Sequence, residues 1–241
     1  MKKIKTNSYF VTICKTKNKT YIQRRKRKGL HAYPRILKLN EINKYLKDTN
    51  IKYPKLLRNC FKFTYEEYIE STKDINNISN NEIINYVVSL INELNKINIK
   101  NKKITWKNNS EFLKFNIDNL KNILIEKKPE KLNEYLTNLD NLYTELDNDR
   151  NLTFIHGDIH RKNIIINNEN FYLIDWELST YGDLAYELAS HFILMDYTDE
   201  EKNILLSKLN NINIETLKKD INAYTKFELY RRIVTKEIKN N

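Results

Sequence analysis

Three side-chain oxygens at fixed spacing pose the chemical question. In "HGDIHRKN", residues 156–163, the carboxylate Asp158 follows Gly157, and the amide Asn163 comes five positions later. A second carboxylate, Asp175, ends "FYLID", twelve residues beyond Asn163. These are hard oxygen donors, which suit Mg2+ carrying bound phosphates rather than zinc. The amide can coordinate without adding a third negative charge. D-x-x-x-x-N followed by a metal-binding aspartate is a layout for phosphoryl transfer, in which the first aspartate takes the proton of an attacking hydroxyl or orients it. A second pattern overlaps it: His156, Asp158 and His160 alternate like the ligands of a metal hydrolase. That pattern gives Asn163 and Asp175 no task, and only His31 and His191 remain as further histidines.

The elements that must position these groups can be read around them. "LTFI", "NIIIN" and "FYLIDW" are short β-type runs, and "NNEN" between the last two is a turn. If "NIIINNENFYLID" is a hairpin, Asp175 returns beside Asn163. In "YGDLAYELA", Gly182 supplies a tight turn and Asp183 caps a helix that begins at Leu184. From Asp183 to the end of the chain three helices are expected, this one included. Upstream, residues 8–14 and 19–25 predict a β-hairpin about "KTKN", and Ile36, Leu37, Leu39, Ile42, Tyr45 and Leu46 recur at helical spacing. "KLLRNCFKFTYEEYIES" reads as two strands. Helices are expected over "NEIINYVVSLINELNKI", over about 110–126, and from Pro129 to about 147. The leader before the first hairpin leaves little room for a strand of its own.

Composition narrows the class. The 241 residues include 40% hydrophobic ones, enough for a real core. Cys14 and Cys60 form neither a disulfide framework nor a metal-ligand spacing, so a reducing, cytoplasmic setting is expected. No run approaches membrane-spanning length, and no membrane partner is expected. The net charge of +11 raises nucleic-acid binding, but "RRKRK" at 24–28 is the one dense basic run and lacks interleaved aromatics. Nucleic acid is therefore not an expected partner; an anionic nucleotide fits the charge equally well.

"HGDIHRKN", "LIDWE" and "GDLAYELA" together resemble the aminoglycoside phosphotransferase and choline kinase superfamily, small-molecule kinases with a protein-kinase-like fold. The resemblance implies an α+β, two-lobed protein: a small β-rich nucleotide-binding lobe at 1–70 and a mainly helical lobe at 71–241 with the catalytic loop and substrate site. It implies Asp158 as catalytic base, and Asn163 and Asp175 as holders of Mg2+ on ATP or GTP. His156 would brace the loop, His160 and Arg161 would contact phosphate or substrate, and Asp183 would support the site from behind. Arg24 matches a "Y-V-L-R"-type strand end that meets the α/β-phosphates, with Arg25 as competitor and Glu41 on the next helix as its partner. "KTNSYFV" resembles a T-N-x-x-y-x-V segment in which Asn7 and Ser8 contact phosphate, although no glycine precedes Gly29 to form a glycine-rich cover. "FTYEEYIES" resembles M-E-Y-I-x-G, with backbone near Glu67, Tyr68 and Ile69 at the adenine edge. The activity implied is transfer of the γ-phosphate to a hydroxyl of a small, cationic molecule such as an aminoglycoside or related antibiotic. Glu177, Glu187, Asp196, Asp199, Glu200 and Glu228 offer negative charge for it, Glu177 foremost. A choline, amino-alcohol or other metabolite kinase and a degenerate kinase-like binding protein are the alternatives.

Overall fold

The computed structural model describes residues 2–5, 9–17, 19–26, 39–60, 63–98, 106–127 and 152–239, with single positions 130, 133, 137, 139, 142 and 146. Asn7, Ser8, Gly29 and nearly all of the helix expected from Pro129 lie outside the described residues.

The first part is an antiparallel sheet. Strands β1 (Lys2–Lys5), β2 (Tyr9–Lys15), β3 (Thr20–Lys26), β4 (Leu56–Asn59) and β5 (Phe63–Glu67) stand in the order β1-β2-β3-β5-β4. The hairpin β2–β3 forms as the alternating, β-branched sequence predicts, one residue later than expected. Strand β1 corrects the reading of the leader: Lys2 to Lys5 pair with Ile13 to Phe10, because β2 would otherwise leave its outer backbone groups unpaired. Helix α1 (Leu39–Leu46) enters between β3 and β4, burying Ile42 and Leu46.

The second part is mainly helical. Helix α2 (Asn80–Leu94) starts at a Ser79–Glu82 capping box and buries Ile83, Ile84, Val87, Leu90, Ile91 and Leu94, the face seen in its sequence. Each such aliphatic side chain contributes about 1.5–3 kcal/mol on full burial. Helix α3 (Asn109–Lys127) follows. Helices α4 (Leu184–Met195), α5 (Asp199–Ser207) and α6 (Ile214–Lys239) close the chain, with α4 packed on α6.

Between these helices run two small sheets. Strand β6 (Thr153–Ile155) pairs with β9 (Thr180–Gly182), a pairing the sequence did not suggest, and β7 (Ile164–Asn167) pairs with β8 (Asn170–Leu173). The loop 156–163 leaves β6, and the segment 174–179 leads back to its partner β9. Both polar clusters are thereby held at the ends of one compact unit.

Candidate active site

The loop begins with a turn that only glycine makes easily. Gly157 has φ +84°, and a Cβ there would lie 2.7 Å from the Leu178 carbonyl oxygen. On either side of it the backbone is fastened by helix α4. Glu187 accepts the N–H of His156 at 2.5 Å and that of Gly157 at 2.8 Å. One turn further along the helix, His191 Nδ1 donates to the Ile159 carbonyl at 2.8 Å. Burial pushes the Glu187 carboxyl up to about 7 and both His191 and His156 down to about 4.

His156, expected to brace the loop, is hydrogen-bonded at both ring nitrogens. It is fully buried, its Nδ1 accepts the Asp158 N–H at 3.2 Å, and Nε2 therefore carries the hydrogen donated to the Ile174 carbonyl at 3.1 Å. Trp176 lies edge-on to its ring and donates Nε1–H to the Leu173 carbonyl. With both ring nitrogens committed, His156 cannot serve the hydrolase pattern. Among the described residues no group of three or more His, Cys, Asp or Glu could hold a metal ion.

Asp158 is held by one carboxylate oxygen. Asn163 Nδ2 donates to Asp158 Oδ2 at 2.9 Å and to its carbonyl at 2.9 Å, and His160 Nε2 lies 3.3 Å from the same Oδ2. The Lys162 N–H occupies His160 Nδ1, so Nε2 carries the hydrogen directed at Asp158. Burial raises the Asp158 carboxyl, but the hydrogen bonds from His160 and Asn163 outweigh it and hold the group below the usual range. Oδ1 is the oxygen these donors do not use. His160, expected at phosphate or substrate, rests on Asp158. Arg161 instead turns away, donating to the Ile75 and Ile78 carbonyls and to Asn80.

The hairpin brings Asp175 back as anticipated. The Ile174 N–H bonds to the Asn163 carbonyl at 2.9 Å, placing Asp175 one residue past that link. Its backbone is left-handed, φ 68° and ψ 53°, which turns the carboxylate toward the first sheet. There Arg24 Nη1 meets Asp175 Oδ1 at 2.8 Å, while Arg24 Nε faces Glu66 at 3.0 Å. Burial alone would lower the Arg24 pKa, but Glu66 and Asp175 raise it. Glu66, a carboxylate not singled out in the sequence, is thus the one beside Arg24; Glu41 lies in the first turn of α1, which contributes Ile42 and Asn43 to the lining of this cleft. Glu177 lines the same cleft. Glu67, Tyr68 and Ile69 border a separate open cavity with Lys15, Asn167 and Tyr172, and the Glu67 N–H is already bonded to Lys55.

Asp158 also faces a cavity of about 200 Å³ whose walls include Trp106, Phe112, Phe115 and Tyr186 together with Arg231 and Arg232. Phe112 stands edge-on to Trp106 at 4.9 Å and to Tyr186 at 5.4 Å. The carboxylates expected to line a cationic site are elsewhere. Glu187 holds the loop, Glu228 is fully buried and ion-paired with Arg231 and Arg232, and Asp199 pairs with Lys202. Asp196 and Glu200 are exposed beside them. Asp183 is buried and caps α4 through Ala185, in keeping with a supporting part.

Residues 5–211 match the model of the Phosphotransferase enzyme family. The LicA homologue of Mycoplasma capricolum is 24% identical over 183 residues, 76% of this chain, and the chain spans 66% of that relative's length. Among solved structures, an ethanolamine kinase of Plasmodium vivax superposes with a TM-score of 0.68 at 16% identity, covering 97% of this chain and 73% of its own. The choline kinase LicA of Streptococcus pneumoniae gives 0.63 at 18%, covering 98% and 89%. The streptomycin–ATP complex of APH(2")-IIa gives 0.67 at 13%, covering 91% and 82%. The fold is that of these kinases: a β-sheet N-terminal region and a helical C-terminal part.

Proposed function

This chain belongs to the phosphotransferase enzyme family, and from that premise we propose that it transfers the γ-phosphate of ATP or GTP to the hydroxyl of a small amino alcohol of the choline type. The observation that carries this reading is Asp158 beside an aromatic cavity of about 200 Å³, one carboxylate oxygen fixed and the other unused by its neighbours. An acceptor hydroxyl hydrogen-bonds to Oδ1 and gives up its proton there as the new P–O bond forms. With its pKa held low, the carboxylate is ionised at neutral pH and serves first to aim the hydroxyl, the group's main task in a loose transition state.

The sheet of the first part, residues 1–70, forms the nucleotide lobe, and 71–241 the acceptor lobe. Arg24 meets the α/β-phosphates, and backbone of Tyr68 and Ile69 receives the adenine edge, since the Glu67 N–H is spent on Lys55. The residues present fit Mg2+: both Asn163 hydrogen bonds use Nδ2, which leaves its amide oxygen as donor, and Arg24 takes only Oδ1 of Asp175. Two protein oxygens plus phosphates is a customary Mg2+ set, and the ion would offset charge on the transferring group.

Substrate choice follows from the cavity walls. A polyamine antibiotic needs several carboxylates, and those of this region are committed to the loop or to arginines. A single alkylated ammonium is served by aromatic faces, at about 0.5–2 kcal/mol for each well-placed contact. The amino alcohol alternative is therefore preferred here to the aminoglycoside. Phosphate-transfer screening over choline, ethanolamine, aminoglycosides, cyclic peptide antibiotics and sugars tests it. Turnover of the first two alone is expected; turnover of aminoglycosides alone would return the antibiotic reading.

A further inference from the structure

We propose that Glu66 is the positioning residue for Arg24, the task the family pattern gives to a glutamate on the following helix, and that in this chain strand β5 carries it. The inference rests on the phosphotransferase reading above. Set against M-E-Y-I-x-G, the segment Glu66-Glu67-Tyr68-Ile69 places Glu66 where the pattern has methionine. An ionisable group buried at such a position is costly unless it is paired.

The sheet geometry supplies one. Arg24 pairs with Thr64 across β3–β5, so Glu66, two residues along β5, is its diagonal neighbour on the same face. Both side chains are nearly shut off from solvent, at 13% and 10% exposure. The contact runs from Nε to Oε1 at 3.0 Å, while Nη1 goes to Asp175 at 2.8 Å. Two carboxylates from separate elements therefore flank one guanidinium, an ion pair at Nε and a hydrogen-bonded ion pair at Nη1. Burial raises the Glu66 carboxyl even though Arg24 pulls it down, so the strand keeps a group that is expensive there.

The test is calorimetric binding of MgADP to the full chain, combined with a double-mutant cycle. Glu66→Gln keeps the shape and removes the charge; it is expected to weaken MgADP about tenfold, with the acceptor KM within about twofold. Glu41→Gln is expected to weaken MgADP less than Glu66→Gln does. Once Arg24→Met is present, adding Glu66→Met is expected to cost no further affinity, since the partner it positions is gone. That double variant replaces the pair by apolar side chains and guards against misfolding of the single one. Unchanged affinity in Glu66→Gln, a larger loss in Glu41→Gln, or losses at 24 and 66 that simply add would each overturn the proposal. Failure of the unsubstituted protein to bind MgADP would overturn the family reading itself, and is recognised separately on that account.

Discussion

Asp158 works with one oxygen restrained and one unused, and the restraint comes from two donors of different kinds, the Asn163 amide and the His160 imidazole. Their spacing was legible because a D-x-x-x-x-N loop has to curl back on itself for the amide to reach the carboxylate. What His160 does was not legible, since its tautomer depends on the Lys162 N–H, a backbone group that no sequence pattern reveals. Gly157 shows the same limit in milder form. Its presence suggested a tight turn, but the reason alanine fails is the Leu178 carbonyl, which arrives from another segment. Gly157→Ala is expected to lower stability by at least about 2 kcal/mol in urea unfolding, from the left-handed backbone and the forced shift together. A loss under about 0.5 kcal/mol would show that the loop can relax.

Helix α4 is the element on which the site depends most. Its sequence, LAYELASHFILM, reads as a helix capped by Asp183, and it is one. The glutamate in it was read as surface charge for a substrate. The signal that could have corrected this was Glu187 and His191 four apart on an otherwise apolar helix, which puts both on one buried face. Glu187→Ala would leave two buried N–H groups without their acceptor, and a loss of about 2–6 kcal/mol in urea unfolding is expected. Glu187→Gln preserves an acceptor and is expected to stay within about 1 kcal/mol of the parent at pH 8. Equal losses in the two variants would contradict the anchoring role. The hairpin β7–β8 was read correctly for the opposite reason: its turn and alternation are local, and its links to the loop, from Ile174 to Asn163 and His156, lie next to its own end. The pairing of β6 with β9 was missed because both strands are three residues long and 24 or more residues apart.

At the scale of the whole molecule, buried titratable groups set how stability follows pH. His156 and His191 have folded pKa values near 4, below the unfolded value of about 6.5, so their neutral forms are favoured in the fold and stability is lost as pH falls from 6.5 to 4. Glu187 runs the other way. Its folded value near 7 lies above the unfolded one, so its contribution is present below about 4.5 and lost as pH rises toward 7. Each shift is on the order of 3 kcal/mol, and two oppose one. Stability should therefore rise by a few kcal/mol from pH 4.5 to 6.5, and more steeply in Glu187→Gln; a falling profile would refute the assignment. Nucleotide should stabilise the chain as well, by about 2.7 kcal/mol at a hundred times Kd, and Arg24→Met should lose most of the melting shift. The two-part architecture was legible from periodicity and turn chemistry. The aromatic cavity beside Asp158 was not, since Trp106, Phe112 and Phe115 come from one stretch and Tyr186 from another, and their convergence is a matter of tertiary packing.

The central claim is phosphoryl transfer aimed by Asp158 onto a small amino alcohol. The direct measurement is product analysis after incubating the full chain with Mg2+, ATP and choline, alongside Asp158→Asn. Phosphocholine and ADP are expected in equal amounts, with kcat at least about a hundredfold lower in the variant while MgADP still binds. Undiminished turnover in Asp158→Asn, or phosphate appearing on aminoglycosides and never on choline or ethanolamine, would contradict it.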